Sequence, residues 1–214
     1  MIDLYPWATP NGRKVSIALE ELGLPYRVHA VNIAKGEQLS EEFARISPNQ
    51  KIPAIVDSDA GLTLMESGAI LMYLAGKAGR LLPAEPDRYW EAIQWLMWQK
   101  AAFGPMLGQA LHYLKYNRGK STYSEDRFEI ETHRLYRVLD RQLESREFIA
   151  AGEYTIVDIA CWPWTARHEY QSVDLHEYPH VLDWYMRIAE RPAVRAGWAV
   201  PVPEDVPLPP PTDV

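Results

Sequence analysis

The chain has 214 residues, an apolar share of 47% and a formal charge of −7. That length suits two modest domains, no apolar run approaches the ~18 residues of a membrane span, and the interleaved charges form no basic stripe for a nucleic-acid backbone. Its single cysteine excludes an internal disulfide, a CxxC redox pair and a cysteine-rich zinc site.

The opening Met1-Ile-Asp-Leu-Tyr-Pro6 has neither the basic start nor the long apolar stretch of a secretory signal, so a cytoplasmic location is expected. Residues 2–5 and 26–33 read as strands. Between them, Val15, Ile17, Ala18, Leu19 and Leu22 mark one face of a helix over 11–22 that stops at Gly23. A short helix over 40–46 ends at the Ser47-Pro48 breaker. Strands follow at 54–57 and 62–65, joined by Asp59-Ala-Gly61, and a helix runs over 66–78. The order β-α-β-α-β-β-α is that of a thioredoxin-like domain with a mixed four-stranded sheet, spanning 1–78.

Residues 79–87 form a proline-bearing linker, after which helical periodicity dominates and an all-helical domain is predicted over 88–200. It contains a tryptophan-rich helix with Trp90, Trp95 and Trp98, and a charged amphipathic helix over about 124–144. A further helix starts at Thr155-Ile-Val-Asp158, a capping box with Tyr154 and Ile159 placed as a hydrophobic staple. Residues 201–214 are too rich in proline for a helix and read as an extended tail.

The densest chemical signal lies in Ser47-Pro-Asn-Gln-Lys-Ile-Pro-Ala54 and Glu66-Ser67. Pro53 precedes a β-branched run where a central strand would lose a ladder hydrogen bond, so a cis Ile52–Pro53 turn is predicted. Such a turn leaves the Ile52 backbone free to pair with an extended peptide. Glu66 and Ser67 open the next helix and offer a carboxylate, a hydroxyl and free amides. Together these features predict a site for a small zwitterionic peptide.

With Ile-Pro-Ala, Glu-Ser and the later Thr-x-x-Asp box in place, the chain resembles the cytosolic glutathione transferases over essentially its whole length. Thr9-Pro-Asn-Gly-Arg-Lys14, Gly104-Pro-Met-Leu-Gly-Gln109 and Asp158-Ile-Ala-Cys-Trp-Pro-Trp164 resemble the bacterial nu class, whose relatives include a fungal nitrogen regulator. The resemblance implies a homodimer, no permanently bound cofactor, glutathione as cosubstrate, and often disulfide reduction in place of conjugation. It implies that Thr9 and Asn11 hold the glutathione sulfur. It assigns Gln38 and Lys51 to the glycine carboxylate, Ile52 and Pro53 to the cysteinyl portion, Glu66 and Ser67 to the γ-glutamyl end, and Arg127 to a glutathione carboxylate. The partners so implied are glutathione and a small disulfide; conjugation to an electrophile held near Trp7, Phe103 and Met106 is one rival, and a non-catalytic glutathione-binding module like the fungal regulator is the other.

Each residue also has a plainer reading. Thr9 is equally an N-cap followed by Pro10 at the first helical position. Gln38, Lys51 and Arg127 read as solvated surface groups, and Glu66 and Ser67 as helix-start residues. Cys161, in Ile159-Ala-Cys-Trp-Pro-Trp164, reads as a buried hydrophobe. His176 and His180 have helical spacing, but Pro179 interrupts them, so no metal site is expected.

Overall fold

The computed structural model describes residues 1–210, which form two units: Met1–Leu82 with Glu190–Val206, and Pro83–Ala189 with the chain from Pro207 on. The first unit contains β1 (Ile2–Tyr5), α1 (Pro10–Leu22), β2 (Tyr26–Val28), α2 (Glu41–Ile46), β3 (Ala54–Asp57), β4 (Leu62–Met65) and α3 (Ser67–Ala78). Its sheet is four-stranded in the order β2-β1-β3-β4, with only the β1–β2 pair parallel. The predicted mixed sheet and thioredoxin-like order are therefore present. Leu4 and Ile55 from the sheet, Val15 and Leu19 from α1, and Ile70, Leu71 and Leu74 from α3 are buried in its core.

The second strand is shorter than the 26–33 expected. Beyond Tyr5 the neighbouring chain reaches Pro6, which has no N–H to offer, so the regular ladder stops. The chain continues beside it through isolated bonds from the His29 amide to the Leu4 carbonyl at 2.8 Å and from the Val31 amide to the Pro6 carbonyl at 3.0 Å.

The second unit is helical, with α4 (Pro86–Trp98), α5 (Gly104–Ala110), α6 (Thr122–Leu143), α7 (Ile156–Thr165) and α8 (Pro179–Ala189). A π-turn over Gln99–Phe103 joins α4 to α5, and a second over Leu111–Tyr116 ends α5. The first widens the helix just before Pro105, which lacks an N–H and would otherwise crowd the preceding turn. Gly104 and Gly108 then make room for α7. A Cβ at Gly104 would lie 3.2 Å from Trp164 Nε1, and one at Gly108 would lie 3.2 Å from Trp164 Cη2.

The last helix, α9 (Pro192–Trp198), belongs with the first unit although the sequence places it at the end of the helical stretch. Gly197 is the reason: a Cβ there would lie 2.5 Å from Ile17 Cα, so only glycine lets the two helices approach this closely. Residues 201–210 form no helix or strand, and the final four residues of the predicted tail, 211–214, lie outside the described residues. Among the described residues no helix is long and apolar enough to cross a membrane.

Candidate active site

Sheet register gathers most of the predicted site at one end of the first unit. Tyr5 at the end of β1 pairs with Ala54 at the start of β3, and Ala54 pairs with Met65 at the end of β4. The loop after β1, the turn before β3 and the start of α3 therefore emerge side by side. These segments carry Thr9 and Asn11, Lys51 to Pro53, and Glu66 and Ser67.

Thr9 is the N-cap of α1, with extended backbone and its Oγ1 accepting from the Gly12 amide at 3.2 Å. Pro10 occupies the first helical position and no acidic residue stands in the first turn. The cap uses one lone pair of a half-buried hydroxyl, which keeps its proton to donate, beside an electropositive helix end. The capping and sulfur-binding readings of Thr9 are thus compatible. Gly12 is required by a close approach: a Cβ there would lie 2.1 Å from the Trp7 carbonyl oxygen, which itself accepts from the Thr9 amide at 2.7 Å.

The Ile52–Pro53 bond is cis, as predicted, and Pro53 is buried. A turn from Ser47 to Gln50 leads into it, closed by the Gln50 amide on the Ser47 carbonyl at 2.8 Å and by Ser47 Oγ on the Lys51 carbonyl at 2.9 Å. Among the described residues the Ile52 amide and carbonyl bond no other backbone group. Gln50 Nε2 donates to the Leu39 carbonyl at 3.2 Å, which draws the segment carrying Gln38 to the same turn. Lys51 is exposed and Gln38 half-buried.

Glu66 holds a conformation that its residue type does not announce. It adopts φ 70° and ψ 110°, a region that costs a non-glycine residue of the order of 1–3 kcal/mol, and it is exposed. Ser67, at the first helical position of α3, is only 2% exposed. The far side of this arrangement is clamped by Asp57, which accepts from Lys77 Nζ at 2.8 Å and Tyr73 Oη at 2.6 Å. Those bonds, led by the lysine's, hold the Asp57 carboxyl down at about 2 and tie α3 to the end of β3. An aspartate closing an apolar strand and a Tyr-x-x-x-Lys pair on a helix were visible in the sequence; their meeting was not.

Two predicted residues come together in the second unit. Arg127 on α6 and Met106 on α5 line a concavity of about 530 Å³ with Tyr123, Asp126, Phe128 and Glu131. Phe103 corrects an expectation: it is fully buried, stacked on Trp98 at 5.0 Å and tilted against Tyr136 at 5.7 Å. It is a core residue, because the π-turn over 99–103 rotates its ring inward. Trp7 is half-buried and contributes its carbonyl to the Thr9 loop. Cys161 is fully buried in α7, as its apolar neighbours implied.

Comparison with known proteins gives this geometry a context. Residues 2–76 match the model of the glutathione S-transferase N-terminal domain, and residues 99–192 that of the C-terminal domain. The chain is 48% identical to the disulfide-bond oxidoreductase YfcG of Escherichia coli, over 90% of this chain and 92% of that protein. It is 39% identical to the disulfide-bond oxidoreductase YghU of the same organism, over 92% of this chain and 73% of that one. Among solved structures, a glutathione transferase from Pseudomonas putida with one glutathione disulfide bound per subunit superposes with a TM-score of 0.89 at 42% identity, covering 94% of this chain and 91% of that one. A Burkholderia graminis glutathione transferase with two glutathione molecules bound per subunit gives a TM-score of 0.89 at 41% identity, covering 94% and 88%.

Proposed function

This chain belongs to the glutathione S-transferase family, and from that premise we propose that it reduces small disulfides with glutathione as the source of both thiols. The observation that carries the reading is the pairing of an open, threonine-capped α1 N-terminus with a lone cysteine buried in the other unit. With no protein thiol available, the sulfur chemistry falls to the peptide ligand. The disulfide-bond oxidoreductase names of its relatives, and the glutathione disulfide or paired glutathione molecules in its structural neighbours, support the same reading.

In this mechanism the Ile52 backbone pairs with the cysteinyl portion of glutathione as an added strand. Glu66 and the first turn of α3 meet the γ-glutamyl ammonium and carboxylate, and Lys51 with Gln38 meets the glycine carboxylate. Thr9 and Asn11 then hold the thiolate, which attacks one sulfur of the substrate disulfide and expels the other as thiolate. A second glutathione thiolate attacks the mixed disulfide, giving glutathione disulfide and the second reduced product. Two thiols are oxidised for each disulfide reduced.

Thiolate stabilisation supplies only a small part of the rate. Lowering a thiol from ~8.5 to ~6.5 raises its ionised fraction at pH 7 about 25-fold. The accompanying loss of nucleophilicity is about 6–10-fold. A net gain of a few-fold leaves alignment of the two sulfurs as the larger contribution. We also read the protein as a cytoplasmic homodimer, in keeping with the exposed Trp90, Met97 and Ile130 on the second unit.

The aromatic and apolar walls of the Arg127 concavity favour one second reading, conjugation of glutathione to an apolar electrophile. Steady-state turnover of a hydroxyalkyl disulfide, coupled to glutathione disulfide formation and run beside an aryl halide conjugation assay, separates the two. Disulfide turnover that falls about 100-fold in Thr9→Ala with folding intact, as the bound sulfur loses its alignment, is the expected result. Conjugation alone would promote the second reading, and glutathione binding with neither activity would make the protein a binding module.

A further inference from the structure

The C-terminal part of the first unit runs along α1 and grips it at three levels. At its C-terminal end, Arg191 forms a bidentate pair with Glu21 at 2.6 and 2.8 Å. In the middle, Ser16 Oγ donates to the Gly197 carbonyl at 2.6 Å where the two backbones come closest. At the N-terminal end, the guanidinium of Arg13 lies 3.6 Å from the Trp198 ring centroid and pairs with Glu204, while Trp198 Nε1 donates to the Asp205 carbonyl at 3.0 Å.

The last grip is costly in isolation. Arg13 has a side-chain exposure of 0%, and burying a guanidinium is unfavourable unless a carboxylate and an aromatic face receive it. The geometry uses that burial at a particular place. The Arg13 amide donates to the Thr9 carbonyl at 3.0 Å, closing the first helical turn around Asn11. Backbone shifts at Arg13 are therefore transmitted directly to the Thr9 cap.

We propose that the segment from Arg191 to Glu204 is a brace for α1 and that Arg13 is a positioning residue for Thr9 and Asn11. The proposal rests on the reading that those two residues hold the glutathione sulfur. Arg13 touches no substrate; it sets where the cap hydroxyl and the helix end point. A misplacement of about 1 Å at an aligned pair of reacting atoms can cost as much as 100-fold in rate, so a modest loosening of this turn has a measurable effect.

The test uses Glu204→Gln, which keeps the shape of a partly exposed side chain, together with Arg13→Lys, which keeps the charge but loses the planar stack on Trp198. For each, kcat and glutathione KM in disulfide turnover are measured with the thermal midpoint and the ultraviolet titration of the bound glutathione thiolate. The expected result is a kcat lowered about 3–10-fold and a thiolate titration moved upward, with glutathione KM within about twofold. Unchanged kcat and titration in both folded variants, with only the thermal midpoint lowered, would make the brace a structural tie and overturn the proposal. Thr9→Ala is the control: if it shifts the thiolate titration and the brace variants do not, the brace fails alone. If wild type binds no glutathione, or Thr9→Ala leaves the titration unchanged, the glutathione reading fails and the brace falls with it.

Discussion

Helices α1 and α7 are both N-capped by threonine, and they put the same cap to opposite uses. At α1, Thr9 Oγ1 accepts from Gly12 at 3.2 Å, the first turn holds no acid, and the cap is half-buried. At α7, Thr155 Oγ1 accepts from Val157 at 3.2 Å, but Asp158 folds back onto the Thr155 amide at 2.9 Å and the whole start is buried. Asp158 also accepts from the Ile149 amide at 3.0 Å and Trp184 Nε1 at 2.9 Å. A helix N-terminus attracts negative charge. At α7 the protein supplies that charge itself, and at α1 it leaves the place open.

The largest effect that would test this contrast is on stability. Asp158→Ala leaves three buried N–H donors unpaired and is expected to cost about 3–5 kcal/mol in urea unfolding, against about 1 kcal/mol for Thr9→Ala. Equal losses would break the comparison. The pH dependence sharpens it. Burial, opposed by the donors around it, pushes the Asp158 carboxyl up from 3.8 to about 6. A carboxyl raised on folding contributes its proton-linked stability fully below its unfolded value and loses it as pH rises through the folded one. Wild type should therefore lose roughly 2 kcal/mol through this group between pH 4 and 7, a slope absent from Asp158→Asn.

An intermediate effect comes from making α1 resemble α7. Gly12 leaves no space for a side chain, so the carboxylate must enter at Asn11. Asn11→Asp should raise stability by about 0.3–1 kcal/mol through the helix dipole. The same charge should weaken glutathione binding about tenfold, because it occupies the electropositive end meant for the thiolate. Calorimetric titration with glutathione checks the second number. Unchanged affinity would show that the open end of α1 is not where the sulfur sits.

This contrast was only half legible in the sequence. Thr155 and Asp158 are three positions apart and announce their box directly, and Pro53 before a β-branched run announced its turn for equally local reasons. Thr9 gave two readings because a cap and a thiolate donor require the same residue. What stayed hidden depends on distance or on backbone geometry. Arg13 and Glu204 are 191 positions apart, and the Asp57–Tyr73–Lys77 clamp forms only once β3 and α3 are side by side. Phe103 is a core residue against Trp98 and Tyr136, and nothing local in the sequence marks the π-turn that carries it.

The smallest effect concerns the third helix start, at α3, where no side chain caps the helix and the opening depends on the backbone of Glu66 at φ 70°. Glu66→Gly relaxes that conformation, although glycine also gives the unfolded chain more freedom to lose. The balance favours the variant by about 0.5–1 kcal/mol, a rise of about 1–3 °C in thermal midpoint for a chain of this size. Glutathione affinity should fall at the same time, because both the carboxylate and the held backbone conformation of Glu66 are lost. Glu66→Gln separates the two causes, since it removes the charge but keeps the backbone penalty. If it weakens binding as much as glycine does, the carboxylate alone engages the ligand; if it weakens binding less, the held backbone contributes as well, and α3 joins α1 as a helix start kept open at a cost in stability.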